Sequence, residues 1–400
     1  MIRTKRQLPL FPTSLIGSMP RSTEVLSALR MMRRGKIEPN DFNRLIEAET
    51  RKVVELQEDL GIDILTSGEL GRDNYVSFVS DKIGGVQMMS MSDMLDYMDD
   101  KKAFEDMLTA LDVPAVSIKN AICVGKLQYK GDIVAHELST LKKFTDKPVK
   151  ITLPGPYLLT RSMWLPNLSG KVYGSKEELG QDVIRILKEE IDNLVSIGVD
   201  VIQFDEPVLT EVVFTEGKPR SFMCAALSER KDPKEELEFA GSLIGQIMAH
   251  IDRTRTVASL HVCRGNWSKN ESTLLTGPYT PLIELFAKVD PDLLTLEFST
   301  PRAGELNSLL ADPRIAAHTA LGLGVINPRT DEVETSDPIV SRVREAMTYL
   351  PMDRLWLNPD CGFATFSNSP VNVLDTISGK IRSLTETASI LRSAYHEAGK

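Results

Sequence analysis

Histidine and cysteine are scarce in this sequence, which has five of the former and four of the latter among 400 residues. The cysteines are widely spaced, and this spacing does not predict a disulfide framework. We therefore expect the chain to work in a reducing compartment, the cytoplasm, where its thiols are free to bind a metal ion.

Long apolar runs are also missing, so no stretch has the length of a membrane-spanning helix. The first residues, MIRTKRQLPLFPTSLIGS, lack the continuous apolar core of a secretory signal. Positive charge is in deficit, with 47 Lys and Arg against 56 Asp and Glu and a formal net charge of -9. An acidic chain does not favour nucleic-acid phosphates or an acidic membrane as partners, so we expect neither, although a local basic pocket is compatible with this charge.

The sequence does contain a recurring unit, in which an amphipathic helix pattern is followed by a short apolar strand pattern. KEELGQDVIRILKEEIDNLVSIG precedes VDVIQFDEP, for example, and DPIVSRVREAMTYLPMD precedes RLWLNPDCG. Continuous apolar strands are typical of a parallel sheet that is buried on both faces. The pattern predicts a (β/α)8 TIM barrel, with a doubly wound open sheet as the alternative. Its eight candidate strands are 13–18, 62–68, 150–155, 199–205, 256–262, 292–298, 320–326 and 354–360.

The region from about 85 to 145 departs from this unit. MMSMSDMLDYMDDKKAFEDML predicts a helical stretch, and AVSIKNAICVGKLQYKG predicts a hairpin. We interpret the region as an insertion between the second and third strands. No low-complexity linker divides the chain, so residues 1–400 are expected to form one catalytic domain.

Polar residues follow several of the predicted strands, where barrel enzymes place their active sites. SLHVCR puts His261 and Cys263 two residues apart at a strand end, so both side chains face the same side. Glu297 follows the sixth strand in LEFST, and Asp360 and Cys361 follow the eighth in NPDCG. His261, Cys263, Glu297 and Cys361 are predicted to converge on one rim of the barrel.

An imidazole, two thiolates and a carboxylate form a donor set that suits Zn²⁺. Soft sulfur ligands disfavour Mg²⁺ and Ca²⁺, and the mixed set disfavours an iron–sulfur cluster. The alternative is that a buried cysteine acts as a small apolar residue, which is our interpretation of Cys123 and Cys224.

Motifs along nearly the whole chain, from SLIGSMPRS through GELGRDNYV, LPGPYLL, DEPVL, HVC and LEFST to NPDCGFATF, resemble the catalytic barrel of the cobalamin-independent methionine synthase family. The resemblance implies a zinc ion bound by His261, Cys263, Glu297 and Cys361. It also implies a homocysteine site formed by Ile16, Ser18, Glu69 and Asp205.

The chemistry of these residues fits the implied reaction. Zinc coordination deprotonates a substrate thiol at neutral pH, and an electron-rich zinc site leaves the sulfur nucleophilic. Glu69 and Asp205 would bind the ammonium of an amino acid, while backbone N–H groups of Ile16 and Ser18 would bind its carboxylate. The alternatives are that Glu69 pairs with Arg72 and that Asp205 caps the next element.

The chain departs from the long members of that family in two ways. Those enzymes have two barrels, the first of which helps to bind the folate, whereas this chain has one, so either a methylcorrinoid or 5-methyltetrahydrofolate could be the methyl donor. They also carry a D-I-H segment after the seventh strand, whose His relays a proton. Here the segment reads Asn327, Pro328 and Arg329.

An arginine cannot relay a proton near neutral pH. Either another acid serves, for which Asp360 is the candidate catalytic residue, or the leaving group needs no proton. Since a corrinoid leaves as Co(I) without protonation, the substitution favours the corrinoid donor. The alternative is that Arg329 is a solvent-exposed structural residue.

The leading hypothesis is therefore a zinc-dependent S-methyltransferase that forms methionine from homocysteine. A second candidate resembles epoxyalkane:coenzyme M transferase, but its sulfonated thiol would require Arg or Lys in place of Glu69 and Asp205. A barrel similar to uroporphyrinogen decarboxylase would leave the H-x-C and NPDC motifs unexplained. A non-catalytic zinc barrel is the fourth possibility, because structural zinc sites are also closed by four ligands.

Overall fold

The computed structural model describes residues 8–97, 102, 119–214, 232–266, 269, 274–368 and 370–398. Within them the strands are, in chain order, β1 (Leu65–Thr66), β2 (Ile83–Ser90), β3 (Lys119–Tyr129), β4 (Val149–Pro154), β5 (Val201–Asp205), β6 (Val257–Val262), β7 (Leu293–Glu297), β8 (Ala320–Ile326) and β9 (Leu355–Pro359).

A parallel sheet in the order β1-β4-β5-β6-β7-β8-β9 forms the wall of a TIM barrel. The segment at Thr13 and Ser14 joins its two edges. Ile64 N donates to the carbonyl of Thr13 at 3.1 Å, and Ser14 N donates to the carbonyl of Leu357 at 3.1 Å. The barrel prediction is confirmed, while the first predicted strand, 13–18, is reduced to these two bridges because the chain leaves the sheet after Ser14.

The helices of the described residues surround this wall. Helix Lys176–Ile197 has clear sequence signals at both ends. Ser175 caps its first turn by accepting from Glu178 N, and Gly198, with φ of 93°, ends the helix. The α-helices are Thr23–Arg33, Pro39–Asp59, Met91–Met94, Ala135–Leu141, Pro156–Met163, Pro166–Ser169, Lys176–Ile197, Val208–Phe214, Pro233–Met248, Ile283–Val289, Asn307–Leu310, Pro313–Ala316, Ser336–Ala346 and Leu374–Ala398. No helix in the described part of the chain is long and apolar enough to cross a membrane.

The insertion contains a hairpin, but not the predicted one. Strand β3 occupies most of the segment expected to fold back on itself, and its antiparallel partner is β2, with Ile83 opposite Tyr129 and Ser90 opposite Lys119. Residues 88–90, predicted to be helical, belong to β2, while the helical prediction is confirmed for the α-helix Met91–Met94 and the 3-10 helix Leu95–Tyr97 that follow. Most of the remaining predicted helix lies outside the described residues. Residues 88–90 are extended because β2 pairs with β3. Local composition does not predict pairing with a segment that is distant in sequence.

The part of the barrel interior nearest the carboxyl ends of the strands is unusually polar. Along β5, Ile202 and Phe204 face the apolar layer between sheet and helices, so Gln203 and Asp205 face the opposite side. A Cβ atom at Gly322 would lie 2.7 Å from Thr295 Oγ1 and 2.8 Å from Asn358 Oδ1, which shows how closely the polar side chains meet. Barrel interiors are more often filled by branched apolar residues, so this interior supplies hydrogen-bond partners to the rim above it.

Candidate metal centre

Three of the predicted ligands come together at the carboxyl ends of the strands. The ligand atoms of His261, Cys263 and Cys361 all lie within 4.8 Å of one another, and the three residues are buried. His261 belongs to β6, Cys263 follows that strand directly, and Cys361 follows β9. This group could hold a metal ion. Cys123 is buried outside the group, as predicted for an apolar role, and Cys224 lies outside the described residues.

The two thiols of the group are chemically unequal. The hydrogen bond from Cys361 lowers the pKa of Cys263, even though burial acts in the opposite direction. The pKa of Cys361 is raised well above its usual range by this same hydrogen bond and by burial. Cys263 is therefore the thiol that ionises first, and a soft cation would displace the proton that remains on Cys361.

Asp205 orients the imidazole of His261. Its Oδ1 lies 2.8 Å from His261 Nδ1, while His261 Nε2 lies 3.4 Å from the carbonyl oxygen of Asp360. Burial alone would lower the pKa of His261, but the hydrogen bond and charge of Asp205 raise it to about 9. A carboxylate on one ring nitrogen is the usual support of a metal-binding histidine, since it directs the other nitrogen towards the ion.

Glu297 lies at the end of β7 but is not one of the three clustered residues. Its Oε2 is 2.8 Å from Arg302 Nη2, and its Oε1 accepts from Arg264 N at 3.1 Å. Burial would raise the pKa of Glu297, but the charges of Arg329, Arg302 and Arg264 lower it. The carboxylate is thus ionised and available for coordination, at the cost of its pairing with Arg302.

The predicted substrate residues flank the metal group. A Cβ atom at Gly17 would lie 2.1 Å from Glu69 Oε1, so the Ile16–Ser18 turn packs against that carboxylate. On the other side, a Cβ atom at Gly362 would lie 2.2 Å from Ser18 Oγ. The turn therefore lies between Glu69 and the segment that carries Cys361.

Glu69 has an uncommon backbone conformation, with φ of 56°, and such conformations are enriched at functional sites. Its Oε1 accepts from Thr152 Oγ1 at 2.6 Å, and Arg72 Nη1 is 3.8 Å away. Arg72 makes its shorter contacts with Glu137, two hydrogen bonds of 2.9 Å. Burial raises the pKa of Glu69, although the charge of Arg72 lowers it. The alternative partner Arg72 is present but engages Glu137 more closely.

The neighbouring carboxylate of Glu206 caps a helix, but this helix precedes β5 in the chain. Glu206 accepts from the backbone N–H groups of Tyr157 and Leu158 at 2.8 and 3.0 Å, at the start of helix Pro156–Met163. Asp205 instead accepts from Gln203 and His261. The element after β5 is helix Val208–Phe214, and these contacts of Asp205 do not cap it, so the carboxylate of Asp205 is directed into the barrel.

Asp360 and Arg329 are both buried beside the metal group. Asp360 Oδ1 accepts from Phe298 N and Ser299 N, at 3.1 Å each, and burial raises the pKa of Asp360 to about 6. Arg329 is 2% exposed, so the alternative of a solvent-exposed arginine is wrong. Its charge lowers the pKa of both Glu297 and Asp360, and this interaction explains why a cation is retained in the interior.

The structural role of Arg21 was not predicted from the sequence. Its guanidinium donates to four backbone carbonyls, including Glu69 at 2.7 Å and Arg72 at 3.1 Å, together with Met19 and Ala364. One side chain thus ties the turn, the Glu69 loop and the segment after Cys361. The only available signal was an arginine directly after the SMP motif.

Comparison with known proteins assigns the chain to a family. The family described as "Cobalamin-independent synthase, Catalytic domain" matches residues 11–375. A 5-methyltetrahydropteroyltriglutamate–homocysteine methyltransferase from Bacillus licheniformis is 28% identical over 359 residues, covering 90% of this chain and 40% of the relative. A protein of the same name from Thermotoga petrophila is 24% identical over 395 residues, covering 98% and 46%. The chain spans less than half the length of these curated relatives.

Two solved structures share the fold. A B12-independent methionine synthase from Shewanella sp. W3-18-1, in complex with selenomethionine, has a TM-score of 0.71 and 21% identity, covering 97% of this chain and 99% of that one. A methyltransferase from Methanosarcina mazei has a TM-score of 0.54 and 13% identity, covering 98% and 96%. Because the family match covers most of its length, the chain belongs to the cobalamin-independent synthase catalytic-domain family.

Proposed function

We propose that the chain is a zinc-dependent methyltransferase that transfers a methyl group from a folate-type donor to the thiol of homocysteine, forming methionine. The observation that carries the proposal is the meeting of His261, Cys263 and Cys361 within 4.8 Å of one another. Buried carboxylates suited to an amino acid lie beside them. The family and the names of the relatives point to the same chemistry.

The donor set fits a zinc ion. His261, Cys263 and Cys361 would hold it, and Glu297 would be the fourth ligand after exchanging its contact with Arg302. Two thiolates and a carboxylate make the site electron-rich, a combination that selects a soft divalent cation. When bound, the metal would lower the pKa of the substrate thiol while leaving its sulfur nucleophilic.

The protein's own residues would orient the amino acid. Glu69 and Asp205 are both buried and would bind the ammonium group, since charge-assisted hydrogen bonds are strong where water is excluded. The Ile16–Ser18 turn would bind the carboxylate through backbone N–H groups. A sulfonated thiol would place its anion against these carboxylates, so the geometry favours homocysteine over coenzyme M.

We propose a folate-type methyl donor, because the curated relatives are named for 5-methyltetrahydropteroyltriglutamate. The corrinoid donor favoured by the sequence finds no support among these relatives. A folate leaves as an amine and needs a proton, and Asp360 is the proposed source. Its raised pKa, about 6, supports this role, and the buried Arg329 would favour the ionised form of Asp360 after the proton has left.

The proposal is tested by loading the purified chain with zinc and supplying L-homocysteine with methyltetrahydropteroyl mono- or triglutamate. Parallel reactions contain methylcobalamin as donor or coenzyme M as thiol, and mass spectrometry quantifies the methylated products. We expect methionine from the methylfolates. Methionine from methylcobalamin alone would contradict the donor, and no product from a zinc-loaded chain would contradict the activity.

A further inference from the structure

A buried series of hydrogen bonds crosses the barrel interior from β4 to β6. Lys150 Nζ donates to Gln203 Oε1 at 2.9 Å, and Gln203 Nε2 donates to Asp205 Oδ1 at 2.8 Å. The same Asp205 oxygen lies 2.8 Å from His261 Nδ1. All four side chains are buried, and Gln203 is 0% exposed. Lys150 and Gln203 belong to neither the proposed metal ligands nor the proposed substrate residues.

The orientation of the Gln203 amide follows from its contacts. Its Nε2 also donates to the carbonyl of Ile16 at 3.3 Å, and a carbonyl oxygen can only accept. The amide oxygen therefore faces Lys150, which donates both to it and to the carbonyl of Leu15. A flipped amide would place two oxygens against each other at Ile16 and at Asp205, so one orientation is strongly preferred.

The fixed amide has a consequence for the metal group. Asp205 Oδ1 receives the Gln203 N–H from one side, and its position is thereby set for the Nδ1–H of His261 on the other. With the proton on Nδ1, the lone pair of His261 is on Nε2, the nitrogen that lies 3.4 Å from the carbonyl oxygen of Asp360. A histidine that binds a metal through Nε2 requires this choice of tautomer.

We propose that Gln203, fixed by Lys150, is a positioning residue that orients Asp205 and, through it, the metal-facing nitrogen of His261. The same amide holds the Ile16 turn, so it joins the metal group to the site of the amino acid. The metal part of this inference stands on the contacts of the chain itself, whereas the amino-acid part rests on the proposed function.

The matched control is Gln57, a second glutamine that is 0% exposed. Its amide donates to the carbonyls of Thr66 at 2.8 Å and Val53 at 3.1 Å, and it accepts from Thr66 N at 3.0 Å. None of these partners contacts His261. Leucine at either position removes a buried amide of the same size, so a general loss of stability should be similar in Gln57→Leu and Gln203→Leu.

The first readout is the affinity of the purified, substrate-free chain for Zn²⁺, measured by competition with a chromophoric chelator. We expect Gln203→Leu to bind zinc about 10- to 100-fold more weakly, the usual effect of removing such support, and Gln57→Leu to match the wild type. Unchanged affinity in Gln203→Leu, or an equal loss in both variants, would overturn the inference. Thermal unfolding of both variants reports the stability that a purely structural role would change.

A second variant covers the case in which Gln203→Leu fails to fold. Gln203→Glu keeps the volume and the oxygen beside Lys150, but it places an oxygen where Nε2 faces Asp205 and Ile16. Weakened zinc binding by this folded variant supports the inference, and wild-type affinity overturns it.

The proposed function is judged separately, by the wild-type chain. A wild type that binds zinc but forms no methionine contradicts the methyltransferase and leaves the comparison of zinc affinities intact. If the wild type is active, Gln203→Leu should also raise the KM for homocysteine several-fold, because the carbonyl of Ile16 loses its hydrogen bond from Gln203. An unchanged KM would overturn the amino-acid part alone.

Discussion

The carboxylate of Glu69 lies directly against the backbone of Gly17, where an added Cβ atom would be 2.1 Å from Oε1 and 3.0 Å from Thr152 Cγ2. We expect Gly17→Ala to displace the flexible end of Glu69 and leave the barrel folded. The KM for homocysteine should rise by about tenfold, which corresponds to roughly 1.4 kcal/mol of binding free energy. Steady-state kinetics with thermal unfolding would measure both effects.

The control for this change is Gly245→Ala, since a Cβ atom at Gly245 meets nothing within 4 Å. Gly245 lies in helix Pro233–Met248, where alanine should raise stability by about 0.5–1 kcal/mol. An unaltered KM in Gly17→Ala would show that Glu69 does not contact the amino acid.

Removing one thiol should separate the metal group from ordinary buried cysteines. We expect Cys361→Ser to lower the zinc content of the purified protein and to abolish methionine formation, because a hydroxyl binds zinc much more weakly than a thiolate does. Cys123→Ser, at a buried site away from the group, should keep its zinc. Metal analysis by mass spectrometry measures the content, and full zinc occupancy in Cys361→Ser would refute the ligand assignment.

Replacing Arg21 should disturb several loops at once. Arg21→Lys keeps the charge, but an ammonium group cannot span the four carbonyls of Met19, Glu69, Arg72 and Ala364. We expect a loss of about 2–4 kcal/mol in the free energy of unfolding, since hydrogen bonds to charged groups contribute about 1.5–3 kcal/mol each. Urea denaturation measures this loss. The exposed Arg30→Lys is the control, and equal stability of the two variants would contradict the role of Arg21.

Lys150 should make stability depend on pH. Burial lowers its pKa to about 7, although Asp205 and Glu69 act to raise it. From pH 7 up to the ordinary lysine range, the unfolded chain binds this proton and the folded chain does not, so this group makes stability rise with pH. We expect Lys150→Met to reduce the slope of the unfolding free energy by up to about 1.4 kcal/mol per pH unit in this window.

Urea denaturation at about pH 7.5, 8.5 and 9.5, all inside this window, would measure that slope. Lys171→Met, at an exposed position, is the control and should keep the wild-type slope. If Lys150→Met retained it as well, Lys150 would remain protonated throughout the window.

The strands and the rim residues could be predicted from the sequence because each buried parallel strand is a short apolar run followed by polar residues. The ends of β5, β6, β7 and β9 locate Asp205, His261, Glu297 and Cys361 in this way. The pairing of β2 with β3 could not be predicted, because the two strands are distant in sequence and no short turn motif joins them.

Side-chain contacts across the barrel could not be predicted from the sequence either. The burial of Arg329 depends on Glu297 and Asp360, which approach it only when the strands are assembled. Similarly, Glu206 and not Asp205 caps a helix because the two adjacent carboxylates point to opposite sides of one strand end. Alternation predicts that they diverge, but it does not predict which neighbour each one meets.

The bridges at Thr13 and Ser14 also have a consequence for the order of events during synthesis. They close the barrel by pairing with Leu357 and Ile64, and they precede the turn at Ile16–Ser18. The ribosome must release β9 before this turn and Cys361 can come together. Metal acquisition is therefore expected only after β9 and Cys361 have emerged, and a truncated nascent chain would carry His261 and Cys263 without a completed site. A circular permutant with new ends in an exposed connection could make the early segment a late one, changing the timing of assembly while keeping every contact.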